Sequence, residues 1–256
     1  MKVVSLGPAF EPIFWKHVTL DIPHFFFFAF DWEHNKDETD ILLAITGRHI
    51  DGMMLICKRR IVQLRGRNEA AQMLLEHLDL EEVELQASRE HKQYVLEKYQ
   101  PTWDHELMLM VLHKGQEELH TSHPVVKLEA SDAPETAAIL NATDPEFWGS
   151  ITEDQIVEEI NRVNWTGIRI DGELASICRT RLAEGIGHIA TVATRETHRN
   201  KGYATTLVSH SVQTILTKTT TAMIYVLHDN QPAVKVYKRV GFKPYRTYYF
   251  IKGRKR

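Results

Sequence analysis

The residues best suited to do chemistry form two motifs in the second half of the chain. The first motif reads Arg-x-x-Gly-x-Ala from Arg199 to Ala204, and it joins an apolar strand predicted over 189–194 to a predicted helix. The first backbone N–H groups of a helix lack intrahelical partners and lie at the positive end of the helix dipole, so they can bind a phosphate or pyrophosphate. Gly202 lets such an anion approach the backbone because it has no Cβ. Arg199 and Lys201 add positive charge.

The second motif makes the pattern specific. It follows a strand predicted over 223–227 and reads Asn-x-x-Ala-x-x-x-Tyr-x-x-x-Gly-Phe, starting at Asn230. Asn230 is a favoured N-cap residue and begins a predicted helix. Ala233 and Tyr237 then fall at helical spacing and line one face of that helix until Gly241 ends it.

These elements, in this order and with these residues, resemble the GNAT superfamily of acyl-CoA-dependent N-acyltransferases, over roughly residues 124–256. The resemblance implies an α/β fold of the α+β type, with a mixed, mostly antiparallel central sheet flanked by helices. It also implies acetyl-CoA or another acyl-CoA as co-substrate, no metal, and direct attack of an amine on the thioester. Tyr237 would protonate the departing thiolate. The cofactor-binding residues that the resemblance implies are Val192, Thr194, Arg199, Asn200, Lys201, Gly202, Tyr203, Ala204, Thr205 and Asn230.

Two positions depart from the family pattern. Glu196 stands where many members have a proline before the loop arginine, and Ala190 stands where many have a glutamate that acts as a base through water. If the strand is regular, positions 188, 190, 192 and 194 share one face, because side chains alternate. His188 is then a candidate base, and the alternative is loss of the amine proton to bulk water with no dedicated base.

The chain is predicted to break within residues 114–124, which are polar and contain glycine and proline. The predicted domains are therefore 1–118 and 119–256. The first half weakly repeats the second, with three strands over 41–64, a helix over 68–78, a strand, a helix and a final strand over 105–112. We interpret this as a tandem arrangement, a layout that resembles the glycine N-acyltransferase-like and mycothiol-synthase-like members. The alternative is an unrelated α/β domain with a similar rhythm of strands and helices.

The N-terminal copy is predicted to be degenerate. Sliding one half along the other places Glu69 at the position of Gly202, and a second shift places Leu96 at the position of Tyr237. A carboxylate at the helix start repels a pyrophosphate, and leucine has no proton to donate. We therefore expect one acyl-CoA site per chain, in the second half.

The composition is that of an ordinary globular protein and excludes several classes. The 256 residues are 43% hydrophobic and 25% charged, and 31 Lys and Arg nearly balance 34 Asp and Glu. This balance gives no electrostatic case for nucleic-acid binding. The fourteen histidines have no ligand-like spacing, so no metal site is expected. Cys57 and Cys178 lie in apolar runs and are expected to be buried thiols, which suits a reducing cytoplasm.

The phenylalanine-rich run from His24 to Phe30 is too short to span a bilayer, and we expect it to form a buried strand. The chain shows no signal-peptide pattern. The sequence as a whole predicts a cytoplasmic N-acetyltransferase that acts on a small-molecule or peptide amine, without a nucleic-acid or membrane partner. It does not predict the oligomeric state. The alternative is an acyl-CoA-binding or regulatory protein without efficient acceptor chemistry.

Overall fold

The chain forms two compact units in a computed structural model, which describes residues 1–143, 150–183 and 185–256. Unit 1 contains Met1–Leu109, Leu227–Asp229 and Tyr245–Arg256, and unit 2 contains Met110–Val226 and Asn230–Pro244. The units are therefore not contiguous in sequence, whereas the predicted domains 1–118 and 119–256 are. The reason is that the last strand of the chain packs in unit 1. That residues 1–118 and 119–256 are domains that each fold alone stays a prediction.

The secondary-structure elements follow one another in an alternating order. The strands are β1 (Lys2–Ser5), β2 (Thr39–Thr46), β3 (His49–Cys57), β4 (Ile61–Gly66), β5 (Glu82–Ser88), β6 (Tyr99–His113), β7 (Val126–Lys127), β8 (Asn164–Ile170), β9 (Glu173–Ala183), β10 (Ile186–Thr194), β11 (Thr221–Leu227) and β12 (Lys243–Lys255). The helices are α1 (Glu11–Val18), α2 (Ile22–His34), α3 (Asn68–Glu76), α4 (Lys92–Lys98), α5 (Ala133–Thr143), α6 (Glu153–Arg162), α7 (Tyr203–Lys218) and α8 (Gln231–Val240).

Unit 1 is a sheet with the strand order β1-β2-β3-β4-β5-β12-β6. Strands β1 to β4 pair antiparallel, β4 and β5 pair parallel, and β5 pairs antiparallel with β12. Side chains of α3 and α4 pack on one face, in a core that includes Met54, Leu64 and Leu74. Side chains of α1 and α2 pack on the other face, together with Met53 and Leu55. The alternation of Met53, Met54 and Leu55 between two cores explains why β3 is apolar from Met53 to Cys57.

The phenylalanine-rich run is helix α2, so the predicted buried strand is wrong. Asp21 caps this helix by accepting a hydrogen bond from the backbone N–H of His24 at 3.2 Å, and a proline occupies the first turn. The residues of α2 that pack in the core shared with α1 and β3 are spaced i, i+3, i+4 and i+7, which is the period of one helical face. These residues are Phe25, Phe28, Ala29 and Trp32.

Unit 2 has the strand order β6-β11-β10-β9-β8-β7, with β6 contributing its last residues. The β10–β11 pair is parallel, and β7, β8, β9 and β10 pair antiparallel in sequence. Helix α7 packs close to the sheet at Gly187, where an added Cβ would lie 2.4 Å from Ile215. On the opposite face, α5 and α6 share a core with Ile177 and Ala193. This mixed, mostly antiparallel sheet between helices confirms the predicted fold class.

The two halves of the sequence share one connectivity, which supports the tandem interpretation. In each half an antiparallel meander of three strands is followed by a helix, a strand parallel to the third, a further helix and a final strand, which is β6 in the first half and β12 in the second. The parallel ladder has the same length in both units: Ile61–Leu64 pairs with Glu84–Ala87, and Ile186–Ile189 pairs with Thr221–Ile224.

Residues 114–124, predicted to connect two domains, instead pack on unit 2. The backbone N–H of Glu118 donates to Val240 O at 3.0 Å, and that of His120 donates to Ser209 Oγ at 3.0 Å. Gly241 adopts a φ of 108°, and an added Cβ would lie 2.3 Å from Gln116 O. The segment is therefore an ordered part of unit 2. No helix in the described ranges has both the length and the apolar character needed to cross a membrane.

A buried polar cluster surrounds Arg65 in unit 1. Arg65 is 1% exposed, and its guanidinium donates to the Gln63 and Gln86 side chains and lies 4.2 Å from the Tyr248 ring centroid. The Tyr248 hydroxyl and His24 Nδ1 form a hydrogen bond of 2.6 Å. Burial lowers the pKa of His24 to about 2, and the positive charges of Arg65 and Arg246 act in the same direction. The imidazole is therefore neutral in the folded protein.

We predict that His24 makes the protein less stable in acid. Between pH 6.5 and about 2 the unfolded chain binds a proton that the folded chain does not, so the free energy of unfolding falls as the pH drops below 6.5. This one group contributes a slope of up to about 1.4 kcal/mol per pH unit. Urea unfolding between pH 4 and 8 should show a shallower slope for His24→Asn. The exposed His34→Asn should keep the wild-type slope, and equal slopes in all three proteins would contradict the prediction.

Candidate functional site

The parallel ladder between β10 and β11 ends early and leaves an opening. Its last pair is Ile189 with Ile224. Residues Thr191–Thr194 continue to pair with β9, but in the described part of the sheet they have no recorded partner in β11. The register with β9 shifts between Ile189 and Thr191, so Ala190 is an extra residue, a β-bulge. Such a bulge bends a strand and increases its twist, which separates β10 from β11.

The bulge also decides which side chains face the opening. Val192 lies opposite Cys178, and Thr194 lies opposite Ser176. Directly opposed residues of antiparallel strands share a face. Cys178 Sγ is 3.2 Å from Ser211 Oγ of α7, so Val192 and Thr194 both lie on the α7 face.

His188 lies on the other face, which corrects the expectation that 188, 190, 192 and 194 share one face. Its partner in β9 is Arg181, three residues from Cys178 and therefore on the opposite side. The physical reason is the extra residue Ala190, which reverses the alternation. His188 is 5% exposed, and burial, with Arg181 and Arg179 nearby, holds its pKa well below the ordinary value. The His188 imidazole is therefore neutral, and because its pKa is so low it is a poor proton acceptor.

The loop before α7 contains backbone N–H groups that have no hydrogen-bond partner in the described chain. Asn200 and Gly202 adopt left-handed φ values of 62° and 85°. The first bond of the helical pattern runs from Thr206 N–H to Gly202 O at 3.0 Å. Within the described chain no partner is recorded for the N–H groups of residues 200–205. Successive N–H groups in such a turn form a concave anion-binding site at the positive end of the 16-residue helix.

The predicted loop residues divide into two groups. Arg199, Asn200, Lys201 and Gly202 are exposed, and Ala204 is half-buried. Tyr203 and Thr205 are buried, 7% and 8% exposed, so Tyr203 anchors the helix start and offers a ligand mainly its backbone.

Asn230 and Tyr237 are placed by α8. Asn230 is the N-cap and accepts a hydrogen bond from Ala233 N–H at 3.2 Å, while its exposure leaves the amide free to contact a ligand as well. Tyr237 is 6% exposed and packs edge-on against Phe242, with ring centroids 6.3 Å apart. Burial, with a smaller effect of the nearby Cys178, raises the pKa of Tyr237 above its ordinary range. Its phenol therefore stays protonated at neutral pH.

Cys178 connects these groups, and sequence analysis identified it only as a buried thiol. It lies opposite Val192, is near enough to Tyr237 to act on the pKa of that phenol, and contacts α7 through Ser211. Burial raises the pKa of its thiol to about 12, so it is a neutral spacer rather than a nucleophile. Among the described residues, no group of three or more His, Cys, Asp or Glu side chains is arranged to hold a metal ion.

Comparisons with known proteins agree with this geometry. Residues 166–251 match the FR47-like protein family. A structure from Colwellia psychrerythraea, described as an acetyltransferase from the GNAT family, is similar over 99% of this chain and 100% of its own, with a TM-score of 0.59 and 12% identity. The predicted resemblance to the GNAT superfamily is confirmed. A Drosophila protein of known structure shares the fold over 98% of both chains, with a TM-score of 0.73 and 12% identity.

A protein of related sequence matches part of this chain. An N-alpha-acetyltransferase from Saccharolobus solfataricus is 31% identical over 100 residues, which are 38% of this chain. The match spans 56% of that relative's own length.

The two GNAT-like units differ where the cofactor loop would be. In unit 2, thirteen residues (190–202) separate the last ladder residue of β10 from α7. In unit 1, only Arg65, Gly66 and Arg67 separate the last ladder residue of β4 from α3. By helix position the counterpart of Gly202 is therefore the N-cap Arg67, rather than Glu69 as the sequence shift indicated. Arg67 is ion-paired with the buried carboxylate of Asp51. Unit 1 thus has no equivalent loop in its described residues.

We predict that a negative charge at position 202 blocks anion binding. Asp and Asn are nearly isosteric, and both tolerate left-handed φ better than other side chains. An added Cβ at Gly202 would have room, since its nearest neighbour, His123 Nε2, lies 3.8 Å away. By calorimetry, Gly202→Asp should lose CoA binding at least about tenfold relative to Gly202→Asn, because only Asp repels the pyrophosphate. Equal affinities of the two folded variants would remove the loop from the site.

We also predict one CoA per chain. The three-residue connection in unit 1 leaves no loop for a pyrophosphate, so titration of the full chain with CoA should saturate at a single equivalent. Two equivalents that both persist in Gly202→Asp would show that unit 1 binds the cofactor.

Proposed function

We propose that this protein is an N-acyltransferase that transfers the acyl group of an acyl-CoA, in the first instance acetyl-CoA, to a primary amine by direct attack. The observation that carries the proposal is the set of unpartnered N–H groups at residues 200–205, next to a strand that parts from its neighbour. The loop, with Arg199 and Lys201, would hold the pyrophosphate. Backbone groups of Val192 and Thr194 would bind the pantetheine arm, and Asn230 would contact it from the start of α8.

The reaction needs no oxidant, metal or external proton. The amine nitrogen attacks the thioester carbonyl carbon and forms a C–N bond, and the C–S bond then breaks. The nitrogen loses one proton and the departing sulfur gains one. Tyr237 stays protonated at neutral pH and lies near Cys178, which is opposite Val192, and it would donate a proton to the thiolate.

The acceptor class follows from the missing base. Ala190 has no side chain that accepts protons, and His188 is buried on the other face. An α-amino group has a pKa of about 8, against about 10.4 for a lysine amine, so it is partly unprotonated near neutral pH without help. The similarity to an N-alpha-acetyltransferase points the same way. We therefore propose the α-amine of a peptide as the first acceptor to test, in the reducing cytoplasm that suits the free, buried Cys57 and Cys178.

A second function is a protein that binds acyl-CoA without efficient transfer. The absence of a base at Ala190 and the inaccessible His188 favour it. A screen of peptide acceptors with acetyl-CoA and detection of the released thiol separates the two. If the protein is the proposed enzyme, thiol should be released with peptides that have a free N-terminus. Thiol release should be greatly reduced with peptides whose N-terminus is blocked, even when they contain lysine. CoA binding without thiol release above background for any amine would support the second function.

We predict that Tyr237→Phe lowers turnover by about 10²- to 10⁴-fold with little change in acetyl-CoA affinity, since loss of a general acid acts mainly on the transition state. The ring and its contact with Phe242 are kept. Tyr99→Phe is the matched control, because Tyr99 is a buried tyrosine of unit 1 that donates to Leu80 O. If the chemical step is shown to be rate-limiting and turnover is unchanged in Tyr237→Phe, water and not Tyr237 protonates the departing thiolate.

A further inference from the structure

His123 lies in the segment 114–124, outside the region that matches the FR47-like family, and it contacts the anion-binding loop directly. Its Nε2 is 3.1 Å from Lys201 O. A carbonyl oxygen only accepts, so Nε2–H of His123 is the donor. The His123 ring also packs edge-on against Tyr203, with centroids 4.6 Å apart and planes at 76°.

This hydrogen bond acts on the peptide group that opens α7. The carbonyl of Lys201 and the N–H of Gly202 belong to one planar peptide, and the described chain contains no cis bond, so the two groups point in opposite directions. Holding the carbonyl against His123 therefore turns the Gly202 N–H away from His123. Gly202 is the residue that has most freedom to rotate this peptide, because it has no Cβ.

We propose that His123 is a positioning residue of the acyl-CoA site, which holds the Lys201–Gly202 peptide with its N–H directed at the pyrophosphate. This inference rests on the proposed function. It assigns to the segment before β7 a part in cofactor binding that neither motif of the sequence contains. The effect is on ground-state binding of the cofactor, because His123 acts through the loop and not on the reacting atoms.

His198 provides a control for simple packing. Its ring also lies beside Tyr203, with centroids 6.1 Å apart, so both histidines cover this anchor. In the described chain, only His123 has a recorded hydrogen bond from its ring to a loop carbonyl. Replacing each histidine by leucine removes similar ring contacts, but only His123→Leu removes the donor to Lys201 O.

The test compares wild type, His123→Leu, His123→Gln and His198→Leu. CoA affinity is measured by calorimetry, inorganic pyrophosphate is used as a competitor, and thermal unfolding checks the fold. One net hydrogen bond predicts that His123→Leu weakens CoA and pyrophosphate by a similar factor of about 3 to 10. In His123→Gln the side-chain amide places an N–H near the position of Nε2, so affinity should return to within about twofold of wild type. His198→Leu should bind as wild type does.

Each other result is decisive. Wild-type affinity in His123→Leu overturns the inference while leaving the proposed function in place. Equal losses in His123→Leu and His123→Gln, or in His123→Leu and His198→Leu, assign the effect to packing and also overturn it. If wild type itself does not bind CoA, the proposed function fails, and the inference fails with it.

Discussion

The short parallel ladder between β10 and β11 is the constraint on which the rest of the site depends. Four residue pairs hold the strands together, and the extra residue Ala190 then bends β10 away. This single interruption places Val192 and Thr194 on the α7 face, turns His188 to the opposite face and directs the strand end to the loop before α7. A continuous ladder would pair these backbone groups with β11 and leave no edge for a ligand. The opening therefore exists because hydrogen bonding between the strands stops.

Sequence reasoning succeeded where residue type and spacing have a direct backbone meaning. Gly202 is left-handed at the start of α7, Asn230 caps α8, and Gly241 ends it, as their types predict. The bulge could not be predicted, because alanine carries no signature for an extra strand residue. The strand predicted for the phenylalanine-rich run is wrong for a related reason, because the faces that this run buries depend on neighbouring helices and strands. Asp21, which caps α2, is the local signal for a helix there.

Comparison of the two units shows which part of the fold the core requires and which part can differ. Both keep the meander and the four-residue parallel ladder, which the hydrophobic core requires. They differ in the connection that follows the ladder, which has thirteen residues in unit 2 and three in unit 1. Core residues on both faces of β4 resist change because they pack against helices, whereas a surface connection can shorten without loss of the core. At this place unit 1 has the ion pair between Arg67 and the buried carboxylate of Asp51.

The raised pKa of Tyr237 limits how this residue can act as an acid. A free thiol has a pKa of about 8.5 and a phenol of about 10, and burial moves the phenol further up, so complete transfer from Tyr237 to a thiolate is unfavourable. In the proposed reaction, the ammonium newly formed on the attacking nitrogen would be a stronger acid than this phenol. Tyr237 would accept a proton from this nitrogen as it gives its own proton to sulfur. The reaction would then balance without a separate base. In such a relay the phenol is never left ionised in a buried site, where its charge would be costly. The proposed reaction would then need no carboxylate at position 190, and the burial of Tyr237 would be compatible with its role.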